Sequence, residues 1–185
     1  MVDLDVAYIP TPKIIVHQML LLAGLRRGES LFDLGAGDGR IIIEAARKFG
    51  ARATGIEIDP ERVARIKERL RSTGVQAEII NADFMTVDLS PANVIAIYLS
   101  DSANAKLAPK LERELRVGAR VVSLDYALPN WAPEKELITK GPIPRRLYLY
   151  RVTKNVKHTR PIEKSQATAT DGLDPKISMS ELCRV

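Results

Sequence analysis

Sulfur ligands are nearly missing from this chain, whose single cysteine, Cys183, stands close to the C-terminus. One thiol can form neither an internal disulfide nor a cysteine-built metal site. Histidine is almost as scarce, and His17 and His158 offer no metal-ligand spacing, so no metal is expected. Long apolar runs are missing too. The longest, IIVHQMLLLAGL, is broken by His17 and Gln18 and reads as an amphipathic or buried helix rather than a membrane span. The opening MVDLDVAY lacks the basic region and apolar core of a secretion signal. An intracellular, cytoplasmic protein is expected. Few Asn and Gln beside many Arg and Glu add a compositional hint of a thermophile.

What the chain does contain is ordinary for one globular domain: 185 residues, 45% of them apolar. Its net charge of +5 and pI near 9.4 favour acidic partners only weakly. The basic residues are diluted by acids in the same stretches, as in PERVARIKERLRS and KLERELR, the pattern of a solvated helix face laced with ion pairs.

Thr11-Pro12 predicts a helix start, with Thr11 as cap and Pro12 at the first helical position, running to about Leu25. SLFDLG then reads as a buried strand and RIIIEAARKFG as a helix closed by Gly50. ATGIEID is a second strand, and Pro60 opens a helix closed by Gly74. AEIINAD and the wholly apolar VIAIYL follow as strands, then a helix from about Ala103 to Arg116, then ARVVSLDY as a fifth strand. KELITKG and RRLYLYRV predict an antiparallel hairpin joined around GPIP. This alternation implies an α/β fold: a Rossmann-like, doubly wound, mostly parallel seven-stranded sheet with a C-terminal antiparallel hairpin. The expected divisions are an N-terminal segment and helix over residues 1–28, a core over 29–153, and a polar, flexible tail over 154–185.

The glycine-rich loop LFDLGAGDGR follows the first strand, at the sheet edge where open α/β folds bind ligands. Its glycines, Gly35, Gly37 and Gly39, are spaced G-x-G-x-G, whereas a dinucleotide fingerprint would need glycine at Arg40. Asp33 and Asp38 flank the loop, and carboxylates beside a pyrophosphate are unfavourable where water screens poorly. No P-loop Gly-Lys-Ser/Thr follows. Glu57 ends the second strand, where an acid holds ribose hydroxyls, and Asp83 follows the third, placed to meet an adenine amino group. The remaining acids then call for a cation. A nucleoside bearing a sulfonium and an ammonium, S-adenosylmethionine, meets these demands together.

The series DLGAGDGR, GIEID and NADF resembles the motifs of class I (seven-β-strand) S-adenosylmethionine-dependent methyltransferases. More narrowly, YIPTP before a helix, RIIIEAA, KLAPKLERELRVGARVVS and a late tryptophan are similar to the archaeal broad-specificity protein lysine methyltransferases. Those in turn resemble the mitochondrial enzymes that methylate lysine on ATP synthase and translocase subunits. The resemblance spans roughly Tyr8 to Val152. It implies that Asp33, Gly35, Gly37 and Gly39 shape the methionine end of the cofactor site, with Glu57 on the ribose and Asp83 on the adenine. Ile58 and Phe84 would flank the base, and Tyr8 and Thr11 would close over the methionine moiety. Where that family has a His after the fifth-strand Ser, this chain has Leu124.

For methyl transfer to lysine, the protein positions a neutral amine opposite the leaving sulfur, and an apolar or aromatic channel disfavours the charged amine. Tyr98, Tyr126 and Trp131 are candidates to line that channel. Ser100, Asp101 and Asp125 are candidates to accept hydrogen bonds from the amine. The fourth strand ends in YLSD rather than the Asp/Asn-Pro-Pro-aromatic of nucleobase amino-methyltransferases. The expected partners are proteins with exposed lysines, met at an open, fairly flat active-site mouth. RNA methylation and a non-catalytic cofactor-binding scaffold stand as alternatives. The tail lysines Lys154, Lys157, Lys164 and Lys176 raise automethylation as a further expectation.

Overall fold

The computed structural model describes residues 11–139 and 143–153. Within them lie α1 (Lys13–Leu22), β1 (Ser30–Leu34), α2 (Arg40–Phe49), β2 (Arg52–Glu57), α3 (Pro60–Thr73) and β3 (Glu78–Asn81). There follow β4 (Val94–Ile97), α4 (Asp101–Glu114), β5 (Arg120–Leu124), β6 (Lys135–Ile138) and β7 (Arg146–Arg151). Tyr8 and the rest of residues 1–10 lie outside the described residues, as do residues 140–142 of the expected hairpin turn and the tail from Lys154.

Most boundaries have a local cause. Asp59 caps α3 by accepting from the backbone N–H of Glu61 and Arg62, and Pro60 takes the first helical position. Gly50 and Gly74 end α2 and α3 in the left-handed conformation. α1 starts one residue later than expected and ends at Leu22 rather than about Leu25: Pro12 itself is the cap residue, its carbonyl accepting from Ile15 and Val16, and no side chain caps the helix. Thr11 is buried instead. α4 begins at Asp101, earlier than its apolar pattern suggests, because Ser100 accepts from the Ala103 N–H, and the helix runs through Pro109.

The seven strands form one sheet in the order β3-β2-β1-β4-β5-β7-β6. β1 to β5 are parallel, and β7 runs antiparallel between β5 and β6. Alternate strand residues feed two cores. Leu31, Val94, Ala96 and Val122 pack with Met19 and Leu20 of α1, Ile42 of α2 and Ile66 of α3. Leu34, Ile95, Ile97 and Val121 pack with Leu107 and Leu111 of α4, and with Trp131 and Tyr150. β4 and β5 are buried along their whole length, which is why their sequences are apolar without alternation. Each fully buried Ile or Leu contributes about 1.5–3 kcal/mol over its exposed state.

The chain leaves β1 toward β2 and β3, then returns to β4 on the other side of β1. The carboxyl ends of β1 and β4 therefore flank the switch in strand order, where such sheets bind ligands.

Candidate active site

β1 delivers the glycine loop to this switch. Gly35, Gly37 and Gly39 adopt φ of 82°, 59° and 77°, in the left-handed region that glycine enters at little cost. That backbone need, rather than a phosphate, explains the G-x-G-x-G spacing. The N–H groups of Gly35 and Ala36 donate to the Ile56 carbonyl, tying the loop to β2. Leu99, just past β4, closes on the other side, its Cδ2 lying 3.3 Å from where a Cβ on Gly35 would stand.

Glu57, at the carboxyl end of β2, is only 4% exposed. Its Oε2 accepts from the Gly37 N–H at 2.8 Å and its Oε1 from the Asp59 N–H at 3.1 Å. Asn81, which sequence reasoning missed, braces this strand end from β3 by donating to the carbonyls of Glu57 and Ile58. Asp83 sits in the turn after β3, where its Oδ1 accepts from the Met85 N–H at 2.8 Å. Ile58 and Phe84 are half-buried beside these two acids, with Phe84 packed against the α4-side core.

The three acids around the loop have different surroundings. Burial would raise the Asp38 carboxyl, but the hydrogen bonds and charge of Arg40, with Arg69 nearby, hold it below the usual range. The same Arg40 donates to the Thr11 carbonyl, tying the start of α1 to the loop. Asp33 has no such partner. It is 2% exposed, its Oδ2 finds no hydrogen bond among the described residues, and burial, then Glu57, then Asp38, push its carboxyl up to about 8. Glu57 has the Arg62 guanidinium 3.8 Å from its Oε1, whereas the unsatisfied Asp33 carboxyl is a buried seat for a ligand cation. The sulfonium and ammonium of S-adenosylmethionine suit that seat, and the glycines allow close backbone approach.

Across the switch, β4 and β5 end in a second cluster. Tyr98 and Tyr126 stack at 6.4 Å between ring centroids. Asp125 has φ of 61°, and the Tyr126 N–H donates to the Leu124 carbonyl across it, a strained γ-turn. The turn is held from below: the buried Ser123 hydroxyl and Asn104 amide both donate to the Tyr126 carbonyl. Arg145, which precedes β7, fills the centre of this cluster. Its Nε donates to Asp125 Oδ2 at 2.7 Å, its Nη2 to the Tyr98 hydroxyl at 2.5 Å, and its guanidinium carbon lies 5.2 Å from the Tyr98 ring centroid. The Arg146 N–H takes the other Asp125 oxygen. Sequence reasoning missed Arg145, because only the hairpin's return beside β5 brings it within reach of Tyr98.

Besides Asp125, held by Arg145 and Arg146, one candidate to line the channel and one candidate amine contact are engaged elsewhere. Trp131 does not reach the tyrosine pair: it is buried against Tyr150 in an edge-on contact at 5.9 Å, and its indole N–H donates to Glu112. Ser100 spends its hydroxyl on the cap of α4 and on Ser102. Asp101 stands exposed on the first turn of α4. Leu124 is fully buried in the α1-side core, so its side chain does not meet the cluster.

This sheet order, an acid-lined glycine loop after β1 and an acid ending β2 define a class I, Rossmann-like, S-adenosylmethionine-dependent methyltransferase. Comparison with known proteins carries the same conclusion further. The model of the ANTKMT methyltransferase domain matches residues 33–135, and the chain belongs to that family. It is 39% identical to a protein-lysine N-methyltransferase of Saccharolobus islandicus, over 78% of this chain and 92% of that protein. It is 36% identical to the adenine nucleotide translocase lysine N-methyltransferase of Mus musculus over 70% of this chain, and the match spans 57% of that longer protein. Among solved structures, an RNA methyltransferase from Salinibacter ruber in complex with S-adenosyl-L-homocysteine superposes with a TM-score of 0.75 and 38% identity. That match covers 85% of this chain and all of the other.

Proposed function

We infer that this methyltransferase acts on lysine side chains of proteins. The observation that carries the reading is the 39% identity to a protein-lysine N-methyltransferase, sustained over 92% of that protein's length. The β4–β5 edge supports it, since two stacked tyrosines, one of them 37% exposed, border the end of the sheet where a side-chain amine can enter.

Bound S-adenosylmethionine supplies a methyl group activated by its sulfonium. In this reading Glu57 receives the ribose hydroxyls, and Asp33 answers the positive charges. Gly35, Gly37 and Gly39 admit the methionine portion. Asp83 meets the adenine amino group, with Ile58 and Phe84 on either side of the base. Thr11, with Tyr8 before it, closes the methionine end. Tyr98 and Tyr126 border the target amine, and the exposed Asp101 carboxylate offers its proton a route to solvent. No strong general base is required, only a neutral amine and an exit for the proton. The proposed compartment is the cytoplasm, whose reducing conditions suit a chain with a single cysteine.

The 38% identity to a structure described as an RNA methyltransferase favours a second reading, methylation of RNA. Labelled S-adenosylmethionine incubated with the enzyme and demethylated cell extract separates the two, with Glu57→Ala as control. Label removed by protease and recovered as methyl-lysine supports the protein reading. Label removed by ribonuclease overturns it.

A further inference from the structure

Arg145 occupies the ring face of Tyr98 and one oxygen of Asp125, the two groups of this cluster that could otherwise stabilise a cation. The electron-rich face of Tyr98 already carries its guanidinium, and both oxygens of Asp125 are already engaged, one by Arg145 and one by the Arg146 N–H. The arrangement is built rather than incidental. Arg145 is mostly buried, its backbone N–H donates to the Thr139 hydroxyl, and its carbonyl accepts from the Thr139 N–H. Guanidinium remains protonated at any working pH, so this cation cannot be titrated away.

We propose that Arg145 determines the protonation state of the accepted substrate: by filling the cation seat at Tyr98 and Asp125, it excludes lysine ammonium and admits only the neutral amine. An ammonium reaching this edge gives up hydration and finds the ring face and the nearest carboxylate already used. A neutral amine gives up far less. The other charged groups at this edge are Asp101 on α4, Glu136 on β6 and Arg146 on β7, all close enough to perturb Tyr148. Asp101 and Glu136 are exposed or half-exposed, so water screens them, and neither offers the paired ring and carboxylate that Arg145 holds. The reaction then balances simply. The amine lone pair forms the new N–C bond as the methyl C–S bond breaks, its electron pair staying on sulfur, and the resulting methylammonium leaves or sheds its proton to solvent.

This inference rests on the lysine reading and makes a kinetic demand of its own. Lysine has a pKa of about 10.4, so its neutral fraction rises about tenfold per pH unit below that value. If only neutral amine enters, that dependence appears in KM, while kcat stays flat. The test uses a short peptide carrying the lysine most heavily labelled in extract, with saturating cofactor, between pH 7 and 9. For the wild type, KM should fall about tenfold per unit at constant kcat. Arg145→Gln vacates the seat, so KM should become nearly flat and kcat should climb with pH. Arg145→Lys keeps a cation there and should retain the wild-type pattern. A wild-type kcat that climbs with a flat KM overturns the proposal even if neither variant folds. So does an Arg145→Gln profile parallel to wild type, or an Arg145→Lys profile that follows Arg145→Gln. Methyl-lysine in the wild-type product shows that the lysine reading survives any of these results; its absence instead sinks that reading.

Discussion

Asp33 holds its proton at pH values where an ordinary aspartate has lost it, and this has consequences for both stability and binding. Its carboxyl is near 3.8 when unfolded and is raised to about 8 when folded. Below about 4 both states are protonated and the shift costs nothing. Between about 4 and 8 the unfolded chain releases its proton and the native state does not, so the native state loses ground as pH rises. Without cofactor, Asp33→Asn should therefore be more stable than wild type at pH 8, with the advantage fading toward pH 4, as urea unfolding at several pH values would register. S-adenosylmethionine, being cationic, should ionise Asp33 on binding. Calorimetry near pH 7, in buffers of different ionisation enthalpy, should detect proton release in the wild type and none in Asp33→Asn. Glu57→Ala deletes the acceptor of two backbone N–H groups and one of the two acids, and should weaken cofactor binding by about ten- to a hundredfold. Much of this half of the site is legible in sequence, because motif spacing fixes strand-end positions: Asp33, the three glycines, Glu57 and Asp83 all come to one edge. The amine side was less so. Arg145, Asn81 and Asn104 act through tertiary contacts that no local pattern announces.

The strands and helices themselves explain which substitutions the fold tolerates. At Gly55 in β2, an added Cβ would stand 2.8 Å from the Ala36 Cβ and 2.9 Å from Ile79 Cδ1. Gly55→Ala should then destabilise by about 1–3 kcal/mol through overpacking, measured by chemical unfolding. It should also disturb the glycine loop through Ala36. Trp131→Phe is the contrasting case. It removes the indole bond to Glu112 and part of the contact with Tyr150, so stability should fall by about 1–3 kcal/mol. Since Trp131 lies away from the tyrosine pair, kcat and KM should stay within about twofold of wild type. Element order was legible because Pro, Gly and apolar runs mark each boundary. The start of α4 was not, since Ser100 and Asp101 lie upstream of its apolar stripe. The direct crossing from β3 to β4 without a helix was legible as well, and residues 82–93 pack Ala82, Phe84, Val87, Leu89 and Ala92 on the α4-side core.

At the scale of the whole molecule, charge bears on the choice between protein and RNA. The basic pI suggests an affinity for phosphates, yet the arginines of the described residues are widely paired with acids. Arg40 and Arg69 meet Asp38, Arg71 meets Glu68, Arg120 meets Glu29, and Arg151 meets Glu134. Such pairing intersperses the basic groups with acids rather than gathering them into a dense basic patch, and sequence-independent RNA affinity should be weak and lost at moderate salt. A filter-binding titration at two salt concentrations would check this. The account as a whole is tested most directly by peptide mapping of extract proteins after reaction with the wild-type enzyme, by mass spectrometry. It predicts methyl increments on lysine side chains that are absent when Glu57→Ala replaces the wild type. Methyl groups confined to nucleotides, with unmodified lysines, would contradict it.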